Sequence, residues 1–201
     1  MTWKELQIIT LQKMYAISSD KLVFDDTTGP YLSGMRAAAN EGLMLLSTAG
    51  RYKLKSVVVE KEDKSEAKRY DLNELANDFF TFANHVFKIK KDGQTPYFNY
   101  SYVGGTFFVL PKGVTGKFDV YYNAYPKLIS ENTPETEEID LAPDVAVLLP
   151  LYMASELYKE DDIVIATQLR NEFEAERARL TEYTKKHKYI SEKITSVTGW
   201  W

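Results

Sequence analysis

Two histidines are the only imidazole side chains that this sequence of 201 residues offers for acid–base catalysis or metal binding. His85 lies in an aromatic, β-prone stretch, and His187 lies in a lysine-rich stretch. A zinc-protease motif places two histidines on one helix face with a glutamate beside the first, and neither histidine has such partners. We therefore interpret both histidines as structural or surface residues.

A glycine-containing string at residues 113–117, Gly-Val-Thr-Gly-Lys, is superficially similar to a phosphate-binding loop. That motif requires a glycine six positions before the lysine, where this chain has Pro111. It also requires Ser or Thr after the lysine, where Phe118 stands, and a helix where the pattern predicts a strand. The string is therefore predicted to be a turn.

Two pairs of adjacent aspartates carry the oxygen ligands that Mg²⁺ and Ca²⁺ prefer. Asp25-Asp26 lies in a predicted loop, and Asp161-Asp162 lies where the last helix is predicted to begin. Neither pair has the spaced ligands of a calcium loop, and helix capping explains the second pair better. With no cysteine and no Gly-x-Ser-x-Gly elbow, the sequence predicts a protein that is not an enzyme and uses no metal or cofactor.

The charge balance and the opening residues bear on partners and compartment. A formal net charge of −4 does not favour general affinity for nucleic acid, which needs clustered Lys and Arg. Glu5 lies too early for a signal peptide, and no stretch reaches the roughly 18 apolar residues that a membrane span needs. We expect a soluble protein that is not secreted by this route.

Two helices are predicted at the start of the chain. Thr2 and Glu5 have the spacing of a capping box, which predicts a helix over about residues 3–17. Pro30 suits the first turn of a second helix, which is predicted to stop at Gly50. Its small residues would let another helix approach closely: Ala37, Ala38, Ala39 and Gly42.

The middle of the chain is predicted to be an antiparallel β unit of five or six strands over residues 51–128. The charged run at 61–68 is interpreted as a solvated hairpin tip, and residues 71–78 are expected to add a helical turn. The last strand alternates polar residues with a predicted buried face: Phe118, Val120, Tyr122 and Ala124.

Helices are predicted again after a polar linker at residues 130–140. Residues 141–158 are apolar on most sides, and Pro150 should kink or split this helix. A last long helix is predicted over residues 161–186, with charged residues opposite its apolar face. That apolar face is predicted from Ile163, Ala166, Leu169, Phe173, Leu180 and Thr184.

The predicted fold class is α+β. Two N-terminal and two C-terminal helices are expected to form an antiparallel helical bundle over residues 1–50 and 139–188. An antiparallel, β-sandwich-like domain with its linker, residues 51–138, is expected to be inserted between them. Residues 189–201 are predicted to be a C-terminal tail, in which Trp200 and Trp201 suit docking into a partner.

Three segments together carry a resemblance to a known family. Residues 118–126 read Phe-Asp-Val-Tyr-Tyr-Asn-Ala-Tyr-Pro, and a linker rich in Thr and Glu follows them. Residues 148–162 read Leu-Leu-Pro-Leu-Tyr-Met-Ala-Ser-Glu-Leu-Tyr-Lys-Glu-Asp-Asp, and residues 171–174 read Asn-Glu-Phe-Glu. In order and spacing this succession resembles the head-to-tail connector (adaptor or neck ring) proteins of tailed bacteriophages.

The resemblance implies a structural virion protein without chemistry. It implies a homo-oligomeric ring, commonly of twelve subunits, on the portal protein, which extends the DNA channel and offers a docking surface to tail or nozzle proteins. Genomic DNA would pass through without sequence-specific binding or any membrane contact. The implied location is the head–tail junction of the virion, with the host cytoplasm during assembly.

The resemblance also suggests roles for particular residues. Subunit-interface residues are expected on the last helix: Arg170, Glu174, Arg177 and Glu182. Portal docking is expected from residues of the tail: Tyr189, Ile190, Ile194, Val197, Trp200 and Trp201.

Two alternative functions stay open. One is a tail-completion or tail-terminator protein, or another neck protein, that meets the tail first. The other is an enzyme or regulator, which would need a polar cluster in a pocket.

Overall fold

The structure, a computed structural model, describes residues 1–14, 21–22, 25–47 and 52–195, with side chains as far as residue 180. The helices are α1 Trp3–Lys13, α2 Gly29–Ser47, α3 Leu72–Leu75, α4 Pro143–Ala146, α5 Leu149–Leu157 and α6 Ile163–Thr195. The strands are β1 Lys53–Lys61, β2 Lys68–Asp71, β3 Phe79–Lys90, β4 Gly93–Pro96, β5 Ser101–Val103, β6 Phe107–Leu110 and β7 Gly116–Ala124. The fold is mixed α+β with antiparallel sheets.

The chain divides into two compact units, residues 1–51 with 126–201 and residues 52–125. The first contains α1, α2, α4, α5 and α6, and the second contains the seven strands with α3. The division places residues 126–138 with the helices.

The start of α1 is the predicted capping box. Glu5 N donates to Thr2 Oγ1 at 3.3 Å, and Thr2 N donates to Glu5 Oε2 at 2.8 Å. The predicted end at residue 17 is wrong, because Met14 caps the helix directly after Lys13 with φ −85° and ψ 0°. Apolar spacing alone did not mark this end, because it says nothing about where the backbone leaves the helical conformation.

The helical unit is built around α5, which packs against α1, α2 and α6. Gly42 of α2 permits the close approach that its size predicted, because a Cβ there would lie 2.8 Å from Tyr152 Cδ1. Large buried side chains fill this core: Leu6, Leu11, Met14, Met35, Leu43, Leu46, Tyr152 and Phe173.

Pro150 lies in the first turn of α5. The predicted split of residues 141–158 is confirmed, since α4 ends at Ala146 and α5 begins at Leu149. Proline is tolerated there because the first turn of a helix needs no internal N–H donor.

The segment before α4, predicted as a linker, runs beside the start of α1. Trp3 N donates to Glu137 O at 2.8 Å, and Ile139 N donates to Met1 O at 3.0 Å. Asn40 of α2 fixes the same segment through both amide atoms, which bond to Ile129 O at 2.9 Å and to Ile129 N at 2.8 Å. This segment is therefore hydrogen-bonded to the helical unit.

The β unit contains two antiparallel sheets, ordered β1-β7-β3-β4 and β2-β6-β5. The predicted burial of alternate residues along β7 is confirmed, and their side chains join Phe108 and Phe82 in one apolar core. The helical turn expected within residues 71–78 is α3, capped by the Asp71 side chain, which accepts from Asn73 N at 3.0 Å.

The hairpin predicted across residues 61–68 is wrong. β1 pairs with β7 and β2 pairs with β6, so this run crosses from one sheet to the other. Lys61 is 1% exposed, and its ammonium donates to the carbonyl oxygens of Asp63 and Val114. The run of charged residues predicted that these side chains are exposed to solvent. Lys61 is buried instead, because backbone carbonyl oxygens of two loops accept hydrogen bonds from its ammonium.

Candidate interaction surfaces

The residues that could have served catalysis are dispersed. His85 is exposed on β3, and the side chain of His187 lies outside the described residues. The string at residues 113–117 begins in a turn, with Gly113 at φ +84°, and runs into β7, whose first residue Gly116 has φ +125°. The positive φ values explain its glycines without any ligand.

The aspartate pairs organise local backbone. Asp25 Oδ1 accepts from Thr27 N and Thr28 N, each at 2.9 Å, and these hydrogen bonds hold the pKa of Asp25 below its usual range. Asp162 Oδ1 accepts from Val164 N at 2.9 Å, which is the helix cap predicted from the sequence. Within the described residues no group of three His, Cys, Asp or Glu side chains is placed to hold a metal ion.

A polar cluster in the β unit is internally paired. Asp78 accepts from Tyr122 Oη at 2.8 Å and from the Lys55 ammonium. Burial raises the pKa of Asp78, but the hydrogen bonds from Lys55 and Tyr122 outweigh it, and the net pKa is lowered. Each of these three side chains therefore has a hydrogen-bond partner within the cluster.

The first half of α6 presents an exposed apolar face. Ile163 is 63% exposed and Val164 is 73% exposed. They belong to an open, shallow surface patch (the α6 patch), and its described lining residues lie on α6: Ile163, Val164, Thr167, Gln168, Asn171, Glu172 and Ala175. Such a surface is typical of a contact with another protein.

The exposure of Ile163 contradicts one prediction. Ala166, Leu169 and Phe173 are buried as predicted, but Ile163 does not belong with them. Its position at the first helical turn explains the error, because nothing from the preceding loop covers that side chain. The adjacent Val164 was the missed signal, since three consecutive β-branched residues at 163–165 span more of the helix circumference than one face.

Charged side chains on the polar side of α6 form ion pairs with residues of the same chain. Arg170 Nη1 lies 2.9 Å from Glu156 Oε1, and Arg170 Nε lies 3.3 Å from Glu174 Oε1. Arg177 Nη1 lies 3.4 Å from Glu174 Oε2, and the Arg170 guanidinium lies 4.8 Å from the centre of the Tyr152 ring. The structure thus brings three of the four predicted subunit-interface residues together. The side chain of Glu182 is outside the described residues.

The predicted tail begins inside α6, which continues to Thr195. Tyr189, Ile190 and Ile194 therefore have helical backbone, and their side chains are outside the described part. Val197, Trp200 and Trp201 lie wholly outside the described residues.

One face of the four-stranded sheet is a second exposed surface. Asp119 pairs with Val58 on one side and with Phe87 on the other, so these side chains share a face. Val58 is exposed, whereas Asp119 is only 7% exposed. Asp119 Oδ2 accepts from Gln94 Nε2 at 3.1 Å, and its Oδ1 has no hydrogen-bond partner in the part of the chain that the structure describes.

Comparison with models of known protein families gives no match, and comparison with curated protein sequences gives none either. Among the described helices, none combines the length and the apolar character needed to cross a membrane.

Proposed function

We propose that this chain is a structural subunit of a tailed-bacteriophage neck, a head-to-tail adaptor that assembles as a ring on the portal protein. The proposal rests on the resemblance of residues 118–180 to such proteins and on one structural observation, the exposed apolar residues Ile163 and Val164 at the start of α6. An apolar face on an otherwise charged helix favours burial against another protein subunit. In this proposal the helices form an antiparallel bundle, and the β unit is an inserted, sandwich-like domain.

The ring would act by position and shape. Stacked on the portal, it would extend the channel through which DNA leaves the head and would present a surface to tail or nozzle proteins. The chain carries a formal net charge of −4, so DNA would meet little of the basic charge that causes non-specific binding. No catalytic step, metal or cofactor enters this function, and its place is the head–tail junction of the virion.

The portal contact is assigned to the last helical turns of α6 and the residues that follow them. Tyr189, Ile190 and Ile194 recur at helical spacing, which allows one helix face to carry large side chains to a partner. The contacts between neighbouring subunits of the ring are assigned to the first half of α6.

Electron microscopy tests the proposal directly. The purified chain is mixed with the portal ring of the phage that encodes it, and the mass of the chain alone is measured in parallel. We expect added density stacked on the portal, at about one copy per portal subunit.

A matched pair of variants makes the test specific. Val164→Asp places a charge in the α6 patch, whereas Val147→Asp places the same charge on another valine of the helical unit that is 61% exposed and lies outside the patch. Val164 lies in the first turn of α6, where an acidic residue is tolerated, and Val147 lies in the turn between α4 and α5. We expect only Val164→Asp to weaken ring assembly. If the wild-type chain does not bind the portal ring but forms a stable small oligomer, that result would favour the tail-terminator alternative.

A further inference from the structure

The strand β1 forms one edge of the four-stranded sheet. It stands at the end of the order β1-β7-β3-β4, and no strand in the described part of the chain pairs with its other side. β1 has nine residues and pairs with β7 without a shift of register, whereas β2 and β4 have four residues each and β5 has three. Short edge strands resist pairing with another chain, and a long, regular edge favours it. Among the described strands, β1 is therefore the edge best suited to pairing.

Alternate residues of β1 direct their backbone N–H and C=O groups away from β7. In an antiparallel pair, every second residue bonds to the partner strand, and the residues between them point to the other side. Glu60 is of the outward kind, because its carbonyl oxygen accepts from Tyr70 Oη at 2.7 Å and from Lys68 Nζ at 3.2 Å. Both donors belong to β2 of the other sheet. By the same alternation, three earlier residues also point their backbone groups outward: Leu54, Ser56 and Val58.

The outward carbonyl of Glu60 limits the edge, because side chains of β2 already occupy it. The stretch of residues 54–58 lies before this limit and has Ser56 at its centre. Leu54 and Val58, at its two ends, are exposed large apolar side chains. The stretch contains no proline, bulge or acidic residue that would prevent a second strand from pairing with it.

This stretch is self-complementary when two copies run antiparallel about a two-fold axis at Ser56. Leu54 then faces Val58 of the other copy, Ser56 faces Ser56, and each facing pair can exchange two N–H···O=C bonds. Lys55 faces Val57 of the other copy, so no like charges are opposed.

Neighbouring registers fit less well. An axis at Lys55 would place this lysine opposite its own copy, and like charges directly opposite each other are destabilising. An axis at Val57 would place Leu54 opposite Glu60, whose outward carbonyl is already occupied. The charge pattern and the limit at Glu60 therefore favour the axis at Ser56.

We infer that two copies of this chain pair antiparallel along residues 54–58 of β1, with the two-fold axis at Ser56, and so join two four-stranded sheets into one. The contact uses the same surface on both copies, so it stops at two and does not by itself build a ring. The inference goes beyond the proposed function and uses none of the residues assigned to the ring or to the portal.

A disulfide test measures the register directly, because the chain has no cysteine of its own. Facing residues in a hydrogen-bonded antiparallel pair have Cα atoms about 5.5 Å apart, a distance that a disulfide can span. The full-length Ser56→Cys chain should therefore form a covalent pair on mild oxidation, seen as a doubled mass in non-reducing electrophoresis.

Val58→Cys is the matched control for this test. Val58 is exposed on the same strand, but its equivalent in the other copy lies four residues further along, about 14 Å away. It should remain largely unlinked under the same oxidation. Linkage of both variants at similar rates, or of neither, overturns the inference.

A pair of double variants tests the contact between Leu54 and Val58 without a covalent bond. Leu54→Lys with Val58→Lys opposes like charges across the two-fold axis, whereas Leu54→Glu with Val58→Lys opposes unlike charges at the same positions. Both carry Val58→Lys beside Asp119 of β7, so the effect of that substitution within one chain is shared.

Sedimentation and native mass spectrometry measure the result. Wild type should be a two-copy species at micromolar concentration. We expect the like-charge variant to raise the Kd of the pair about tenfold or more, and the unlike-charge variant to stay within about threefold of wild type. A monomeric wild type, or equal weakening by both variants, overturns the inference. Neither result bears on the adaptor function, which depends on binding to the portal.

Discussion

The ammonium of Lys61, at the end of β1, donates to the carbonyl oxygen of Val114 at 2.9 Å, although Lys61 is only 1% exposed. A second bond to the carbonyl of Asp63 ties the crossing between the two sheets to the loop before β7. Lys61→Met keeps most of the volume but leaves both carbonyl oxygens without this donor. We expect a loss of about 2 kcal/mol in the free energy of unfolding, measured by denaturant titration.

The matched control is Lys90→Met, which removes an exposed ammonium from the end of β3. It should change the unfolding midpoint little, because surface charges contribute little to stability. Equal effects of the two substitutions would show that the buried ammonium does not hold the loops together.

Gly42 is predicted to be intolerant of a methyl group. Its α2 backbone approaches Tyr152 of α5 so closely that an added Cβ would lie 2.8 Å from Tyr152 Cδ1. Gly42→Ala should therefore destabilise the chain by about 2 kcal/mol through overpacking, despite the better helix propensity of alanine. Thermal unfolding followed by circular dichroism measures the change.

Gly34→Ala is the control in the same helix. The nearest atom to its added Cβ, at 2.9 Å, is Cδ2 of Leu157, the end of a flexible side chain that can rotate away. We expect this variant to be close to neutral, and a loss as large as that of Gly42→Ala would contradict the role given to the α2–α5 contact.

The Tyr31–Asp161 pair predicts a dependence of stability on pH. Tyr31 Oη donates to Asp161 Oδ2 at 2.5 Å, and this hydrogen bond raises the pKa of Tyr31 to about 12 from 10.0. Because the folded pKa lies above that of the unfolded chain, the contribution is complete below pH 10 and is lost as the pH rises toward 12. Wild type should therefore exceed Tyr31→Phe in unfolding free energy below pH 10, and the difference should shrink above it.

The comparison with Tyr31→Phe isolates the contribution of Tyr31. It is needed because burial also raises the pKa of Tyr122 and of Tyr152 to about 12. Those tyrosines change stability over the same pH range in both proteins, so their effect cancels in the difference. Denaturant titrations at a series of pH values give that difference, and a value independent of pH would rule out the proposed linkage.

Arg170 is predicted to stabilise its own subunit. Its guanidinium bridges Glu156 and Glu174 and stacks over Tyr152, and a lysine cannot reproduce this planar arrangement. Arg170→Lys keeps the charge, yet we expect a loss of about 1 kcal/mol in the unfolding free energy. Calorimetry measures this loss, and native mass spectrometry measures assembly. Unchanged stability with weakened assembly would instead support the lateral contact that the sequence suggested for this residue.

Local patterns in the sequence determined much of the secondary structure. The Thr2–Glu5 capping box, the break at Pro150 and the alternation along β7 depend on residues close together in the chain, so short-range geometry is enough to predict them. The same is true of the α+β class and of the turn at Gly113 before β7, where glycine supplies a positive φ value.

Contacts between distant residues were decided only in the tertiary structure. The sheet that each strand joins, the burial of Lys61 and the hydrogen bonds of Asn40 to Ile129 depend on segments far apart in sequence. The exposure of Ile163 was equally hidden, because helical periodicity fixes the spacing of a face but not whether another element covers its end. The sequence by itself determined which residues lie on common faces, whereas only the packing of the elements decided which faces stay uncovered.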